Sequence, residues 1–234
     1  MQRSKRYKQG ISNLDKALQR PLGDAIDSLQ SFPRAKFDET VELAFNLGVD
    51  PKKSDQMVRG TVTLPNGTGK APRIIVITRG EDKAKAALAA GASQVGYQDL
   101  MEKISGGWLD FDVLIATPDV MRELGKLGKI LGPKGLMPSP KVGTVSDDVS
   151  RAVEEVKKGK IEFKMDKGAN LHVPVGKVSF TREMLKGNCE AVLTALLRAK
   201  PATAKGQYIK SATIASTMGP GIRLDLKEIL SSPK

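Results

Sequence analysis

PNGTGKAP, residues 65–72, is the stretch on which the fold turns, because the texture of the chain differs on its two sides. Its two prolines fix φ and remove donors, while Asn66, Gly67 and Gly69 accept backbone conformations that other residues avoid, so the run breaks any helix or strand. Upstream, Val41, Leu43, Phe45 and Leu47 alternate with Glu42, Ala44 and Asn46, the period of a half-buried strand. Val58, Val62 and Leu64 alternate with Arg59, Thr61 and Thr63 and predict a second strand, with an exposed turn, Asp50–Ser54, between them. Downstream the pattern becomes strand, helix, strand. Ile74–Ile77 is an unbroken β-branched run, as in a parallel sheet buried on both faces. A helix over 81–90 is stopped by Gly91, a short strand over 94–96 is followed by a helix over 99–104, and a third strand covers 113–116. That strand ends at Thr117-Pro118-Asp119, an N-cap with proline at the first helical position. A last helix is expected to be capped by Ser146, with Asp147 and Asp148 in its first turn and Lys157 and Lys158 in its last, as the helix dipole prefers.

From Gly159 the alternating texture returns. Ile161, Phe163 and Met165 take one phase, with Lys164 on the other; Leu171, Val173 and Val175 do the same around His172. Thr181 is placed to cap a helix with the apolar stripe Leu185, Val192, Leu193, Leu196 and Leu197, and Phe180 to staple onto Leu185. A final strand, 209–218, puts Ala212, Ile214 and Met218 on one face and Ser211, Thr213 and Thr217 on the other. At the other end of the chain a basic tail, Arg3, Lys5, Arg6 and Lys8, precedes Ile11, Leu14, Ala17 and Leu18 at helical spacing; Leu22, Ala25, Ile26 and Leu29 mark a second helix, stopped by Pro33. The economical reading is a fold of mixed class, α/β and α+β. A discontinuous α+β domain of antiparallel strands with helices, 1–66 and 160–234, is interrupted by an inserted three-layer, Rossmann-like α/β domain, 67–159. Three modules in series fit less well, because neither flank alone has the apolar surface for a core.

Charge follows the same division. The chain carries 38 Lys and Arg against 26 Asp and Glu, a net of +12. Residues 67–159 hold 14 bases and 12 acids, so the flanks carry +10 of that excess and are the expected seat of a polyanionic partner, nucleic acid above all. No apolar run reaches the length of a membrane span, no signal-peptide core follows Met1, and the single Cys189 allows no intramolecular disulfide; the expectation is a cytoplasmic protein, monomeric when free, with no membrane partner.

Chemistry is sparsely supplied. One histidine and one cysteine, with no C-x-x-C, H-x-x-x-H or G-x-S-x-G, argue against a metal site, a cofactor or a nucleophile, so no catalytic residue is assigned. Cys189 lies inside the long helix and reads as a buried structural thiol, while His172 is on the polar phase of its strand and suits a phosphate or base. Residues 125–143, GKLGKILGPKGLMPSPKVG, hold glycines, prolines and the lysines Lys126, Lys129, Lys134 and Lys141 without one acid. Most of this run is expected to be a long, stiffened, functional loop. It is not a phosphate-binding P-loop, because Lys134 is followed by Gly135, and no G-x-G-x-x-G follows any strand.

The motif LGPKGLMP at 131–138 resembles, residue for residue, the signature of the L-one family of large-subunit ribosomal proteins. The resemblance continues in KFDETVE at 36–42, which looks like the family's first strand, in Lys164, Asp166-Lys167-Gly168, His172 and GKVSF at 176–180, and in STMGPG at 216–221. It implies a two-domain, non-enzymatic protein of the mobile stalk, bound to 23S ribosomal RNA, touching tRNA at the exit site and repressing its own messenger through an RNA mimic. Carried over by position, the RNA face comprises Lys36, Phe37, Thr40, Glu42, Lys164, Lys167, Gly168, His172, Ser211, Thr217, Met218 and Gly219. A second RNA or tRNA contact would draw on Lys52, Lys53 and the four lysines of 125–143. Ser139 and Ala215 depart from the family's usual Asn and Ser, the second removing a hydroxyl from the face. Physically, the lysines supply salt-dependent attraction, the hydroxyls of Thr40, Ser211 and Thr217 reach sugars and phosphates, and Gly219 lets RNA backbone come close. Rival readings are a nucleotide-dependent enzyme built on the insert, and an assembly protein that binds ribosomal RNA without a role in tRNA movement.

Overall fold

The computed structural model describes residues 3–12, 14–15 and 18–231, and Ala17 of the first apolar stripe lies outside them. The chain forms two compact units, Met1–Gly69 with Ile161–Lys234, and Lys70–Lys160.

In the first unit, α1 (Lys5–Ser12) and α2 (Leu22–Ser31) lead into β1 (Thr40–Leu47) and β2 (Arg59–Thr63). The second unit holds β3 (Ile74–Ile77), α3 (Glu81–Ala89), β4 (Gln94–Gly96), α4 (Gln98–Ser105), β5 (Val113–Ala116), α5 (Met121–Leu124), α6 (Gly128–Leu131) and α7 (Val149–Lys157). Then come β6 (Lys160–Lys164), β7 (Asn170–Lys177), α8 (Arg182–Arg198), β8 (Ile209–Ser216), β9 (Ile222–Arg223) and α9 (Leu226–Ser231).

The first unit is organised on β1, which sits inside an antiparallel sheet ordered β7-β1-β8-β9; β2 and β6 pair separately. Its alternation sends Val41, Leu43, Phe45 and Leu47 inward, none more than 1% exposed. They meet Leu171, Val173 and Val175 of β7, Ala212 and Ile214 of β8, and the apolar faces of α2 and α8. Each such side chain contributes about 1.5–3 kcal/mol on burial, so the strand's inner face is the main local source of cohesion. Thr181 caps α8, its hydroxyl accepting from the Met184 amide at 3.3 Å. The α8 stripe differs from the expectation at Leu197, which is 39% exposed, because the buried arc turns through Asn188 and Cys189 instead. Burial pushes the Cys189 thiol up to about 12. A native sample should therefore resist thiol reagents at neutral pH and react stoichiometrically only after denaturation; rapid labelling of folded protein would contradict the packing.

The second unit is a parallel sheet ordered β4-β3-β5 between two helical layers. Alternate β3 residues divide between them. Ile75 and Ile77 pack with Leu100 and Ile104 of α4, whereas Ile74 and Val76 pack with Ala87 of α3 and Val153 of α7. Asp148, not Ser146, caps α7, accepting from the Arg151 amide at 3.1 Å; the Ser146 hydroxyl instead accepts from Asp148 N.

Two further expectations are corrected. The basic tail is itself helix: α1 contains Lys5, Arg6 and Lys8, with Arg6 paired to Glu39, and it ends at Ser12, so Leu14 lies beyond it and Leu18 is exposed. Residues 125–131 are also helical, as a 3-10 turn over Gly125–Leu127 followed by α6. Leu124, Leu127 and Leu131 recur at helical spacing and are buried, an apolar stripe that outweighs the glycines among them. The non-helical remainder turns back at Gly135 and Gly143, both at positive φ.

Candidate nucleic-acid interface

At the start of β1 the motif KFDETVE is strand only from Thr40 onward. Lys36 and Phe37 stand exposed on the preceding irregular segment, Phe37 by 55%. Two carboxylates hold that segment. Asp38 accepts from the Ser179 hydroxyl at 2.7 Å and from its amide at 3.2 Å. Glu39, only 4% exposed, accepts from four donors: Arg6 at 2.9 Å, the Ala35 amide at 2.8 Å, the Ser216 hydroxyl at 2.7 Å and the Met218 amide at 3.0 Å. Burial alone would raise the Glu39 pKa, but the bonds from Ser216, the Met218 and Ala35 amides and Arg6 outweigh it and hold the carboxyl below its ordinary value. One buried anion thus fixes three chain segments, α1, the 32–39 connection and the 216–219 turn, and keeps Phe37 and Met218 out in solvent.

The same turn corrects the expected roles of its residues. β8 ends at Ser216, so Met218 leaves the strand's phase and is 53% exposed rather than inward-facing. The Thr217 hydroxyl is used internally, accepting from the Thr40 amide at 3.0 Å and donating to the Thr40 carbonyl at 3.2 Å. A Cβ on Gly219 would collide with the Ser216 hydroxyl that serves Glu39, so a side chain there would have to displace that hydroxyl. The Thr40 hydroxyl receives Lys177 Nζ at 3.0 Å.

Register places the remaining candidates along the outer face of the sheet. Glu42 of β1 lies beside Pro174 and Ala215, and Ala44 beside His172 and Thr213. Asn46 lies beside Asn170, to which its amide donates at 2.8 Å, and beside Ser211. Glu42, His172 and Ser211 are exposed on this face, and Ala215 is half-buried on it. Lys164 closes β6, and Lys167 and Gly168 lie in the turn before β7, where Asp166 accepts from the Gly168 and Asn170 amides at 2.8 and 2.7 Å. β1 rises about 3.4 Å per residue, so these candidates form a strip about 24 Å long with Lys36, Phe37 and Met218 at one end and Lys167 and Gly168 at the other. Lys52 and Lys53 are exposed beyond the carboxyl end of β1.

In the second unit Lys126, Lys129, Lys134 and Lys141 are exposed, and none forms an ion pair among the described residues. Where β3 ends, Arg79 donates to the Tyr97 hydroxyl at 2.7 Å and pairs with Glu123, which also accepts from Tyr97. The cation at the mouth of this parallel sheet is therefore neutralised by the protein itself. Among the described residues no three metal-ligating side chains converge, and no helix is long and apolar enough to cross a membrane.

Glu39 was legible in principle: it shares the buried phase of Val41 and Leu43, and an acid in that phase must have donors waiting. Lys177, which donates to the Thr40 hydroxyl, carried no comparable signal.

The model of the ribosomal protein L1p/L10e family matches residues 29–220. The large ribosomal subunit protein uL1 of Protochlamydia amoebophila is 55% identical over 225 residues, covering 96% of this chain and 95% of the relative. The proteins of the same name from Chlamydia caviae and Chlamydia pneumoniae are 55% and 54% identical over 228 residues, each covering 97% of this chain and 98% of the relative. These relatives are ribosomal proteins, not enzymes. With the family match spanning both units and three relatives aligned almost end to end, the chain belongs to the ribosomal protein L1p/L10e family.

Proposed function

We propose that the protein is a constituent of the large ribosomal subunit that binds 23S ribosomal RNA through the outer face of β7-β1-β8, as part of a discontinuous domain, 1–66 with 160–234, into which 67–159 is inserted. The observation that carries this is the Glu39-centred turn, which spends a buried carboxylate on holding Lys36, Phe37 and Met218 outward. An exposed aromatic and a thioether beside lysines suit unstacked bases and phosphates, while Glu42, His172 and Ser211 suit base edges and 2′-hydroxyls. The lysines of 125–143 are offered to tRNA at the exit site, where they would assist its release. The protein's own messenger is a second ligand for the same face, bound as a mimic of the ribosomal site and thereby repressed; the two RNAs must then exclude one another.

Full-length protein titrated with a 23S ribosomal RNA transcript tests the reading. Phe37→Ala should weaken binding by about 1–3 kcal/mol, the worth of one stacked base, with little change in salt dependence. Lys36→Ala should flatten the slope of log affinity against log salt by about 1. Wild-type affinity in both variants would remove this face from the interface.

A further inference from the structure

At the end of β1 away from Glu39 the sheet carries a feature that the candidate face does not use. Leu47 pairs with Ile209 and Asn46 with Ser211, so Lys210 is the extra residue of a β-bulge. A bulge re-aims a side chain that regular pairing would send elsewhere. Here Lys210 and Ser211 are consecutive and both exposed. Lys210 reaches over Gly48, whose missing Cβ would stand 3.5 Å from Lys210 Cε and 2.0 Å from the Gln207 carbonyl. The two segments enclose an open concavity of about 450 Å³, with Lys53, Lys205 and Lys210 on its walls. Gln56 braces the walls, accepting from the Asp50 amide at 2.8 Å and donating to the Thr203 carbonyl at 3.5 Å. Asp50 is the acid in the lining, and its carboxylate already accepts from the Lys52 amide at 3.0 Å. None of the three lysines forms an ion pair among the described residues. Among the described residues no exposed large apolar side chain lines the concavity, which disfavours a protein partner, whose contact surface would want aromatic or aliphatic anchors.

We propose that Lys53, Lys205 and Lys210 form a phosphate-binding cleft for the sugar–phosphate backbone of the RNA held on the outer face, at the opposite end of the sheet from Phe37 and Met218. The inference rests on the RNA-binding reading above and extends it. Three lysines converging on one hollow match a backbone that brings successive anions past a fixed point, and they carry affinity without reading sequence. Exposed ammonium groups are attracted at long range, whereas Phe37 and Met218 act only on contact, so the cleft also serves first capture.

The test uses the full chain with Lys53→Gln, Lys205→Gln and Lys210→Gln combined, and as probe the segment of a 23S ribosomal RNA transcript that wild-type protein protects from nuclease. Between about 50 and 200 mM salt the triple variant should show a log–log slope shallower by about 2 to 3 and bind on the order of ten- to a hundredfold more weakly at the upper end. A control variant losing equal charge elsewhere, Lys83→Gln with Lys158→Gln and Lys186→Gln, should bind as wild type. Unchanged affinity and slope in the first variant, or equal weakening in the control, overturns the cleft while leaving the Phe37 face standing. Failure of wild-type protein to bind any ribosomal RNA overturns the RNA-binding reading itself, and the cleft with it.

Discussion

Glu39→Ala is expected to destabilise the first unit by about 3–5 kcal/mol, because it leaves the Arg6 guanidinium, two backbone amides and the Ser216 hydroxyl without their shared acceptor. Protein that still folds should bind RNA on the order of ten- to a thousandfold more weakly, since Lys36, Phe37 and Met218 would have to be re-ordered at about 0.5–1.5 kcal/mol apiece. Glu39→Gln separates charge from shape. It keeps an oxygen acceptor but loses charge-assisted bonds worth about 1.5–3 kcal/mol each. The folded carboxyl titrates below its ordinary value, so its stabilisation is complete above the unfolded pKa and disappears as pH falls through the folded one. The gap in thermal midpoint between wild type and Glu39→Gln should thus be full at pH 7 and close below about pH 4. A gap that persists unchanged into acid would mean that Glu39 acts through packing and not as an anion.

Asn188→Leu should be the second most damaging single change, at about 2–4 kcal/mol. Asn188 is fully buried in α8 and satisfies three main-chain groups: its oxygen accepts from the Asn66 amide at 3.0 Å, and its nitrogen donates to the carbonyls of Gly67 at 2.9 Å and Val175 at 2.7 Å. Leucine fills the space but answers none of them, and Val175 is itself fully buried. Asn188→Asp should be no better at neutral pH, because a buried carboxylate would face two carbonyls; it should recover partly in acid, where the protonated group can donate again. Denaturant unfolding of the three proteins at two pH values checks this. Wild-type stability in Asn188→Leu would show these three bonds to be dispensable.

What the residues disclosed and what they hid have physical causes. The strands at 41–47, 74–77 and 113–116 and the cap at Thr181 were legible because period, β-branching and capping chemistry all agreed there. The helical 125–131 segment was hidden because glycine-rich composition masked a three-leucine stripe. α1 was hidden because its basic residues have low apolar content, and the contact that fixes it, Arg6 to Glu39, spans 33 residues. The family motif located Thr217 and Gly219 but not their duties: one hydroxyl closes the sheet against Thr40, and one missing Cβ makes room for Ser216. Lys210 depended on a bulge, a property of two strands at once that no single-strand period encodes.

Strand order also sets a timetable. β1 lies between β7 and β8, and the Asn46 amide finds Asn170 only 124 residues later in the chain. At about 5–20 residues per second, a growing polypeptide displays Val41, Leu43, Phe45 and Leu47 without their neighbours for roughly 6–25 s. The parallel three-stranded sheet has all its strands within 74–116 and can close in that interval. A newly made molecule therefore carries a finished unit behind an unpaired, aliphatic-rich strand until synthesis is nearly complete, so this segment is where a nascent-chain chaperone would be needed and where crowding would first cause aggregation.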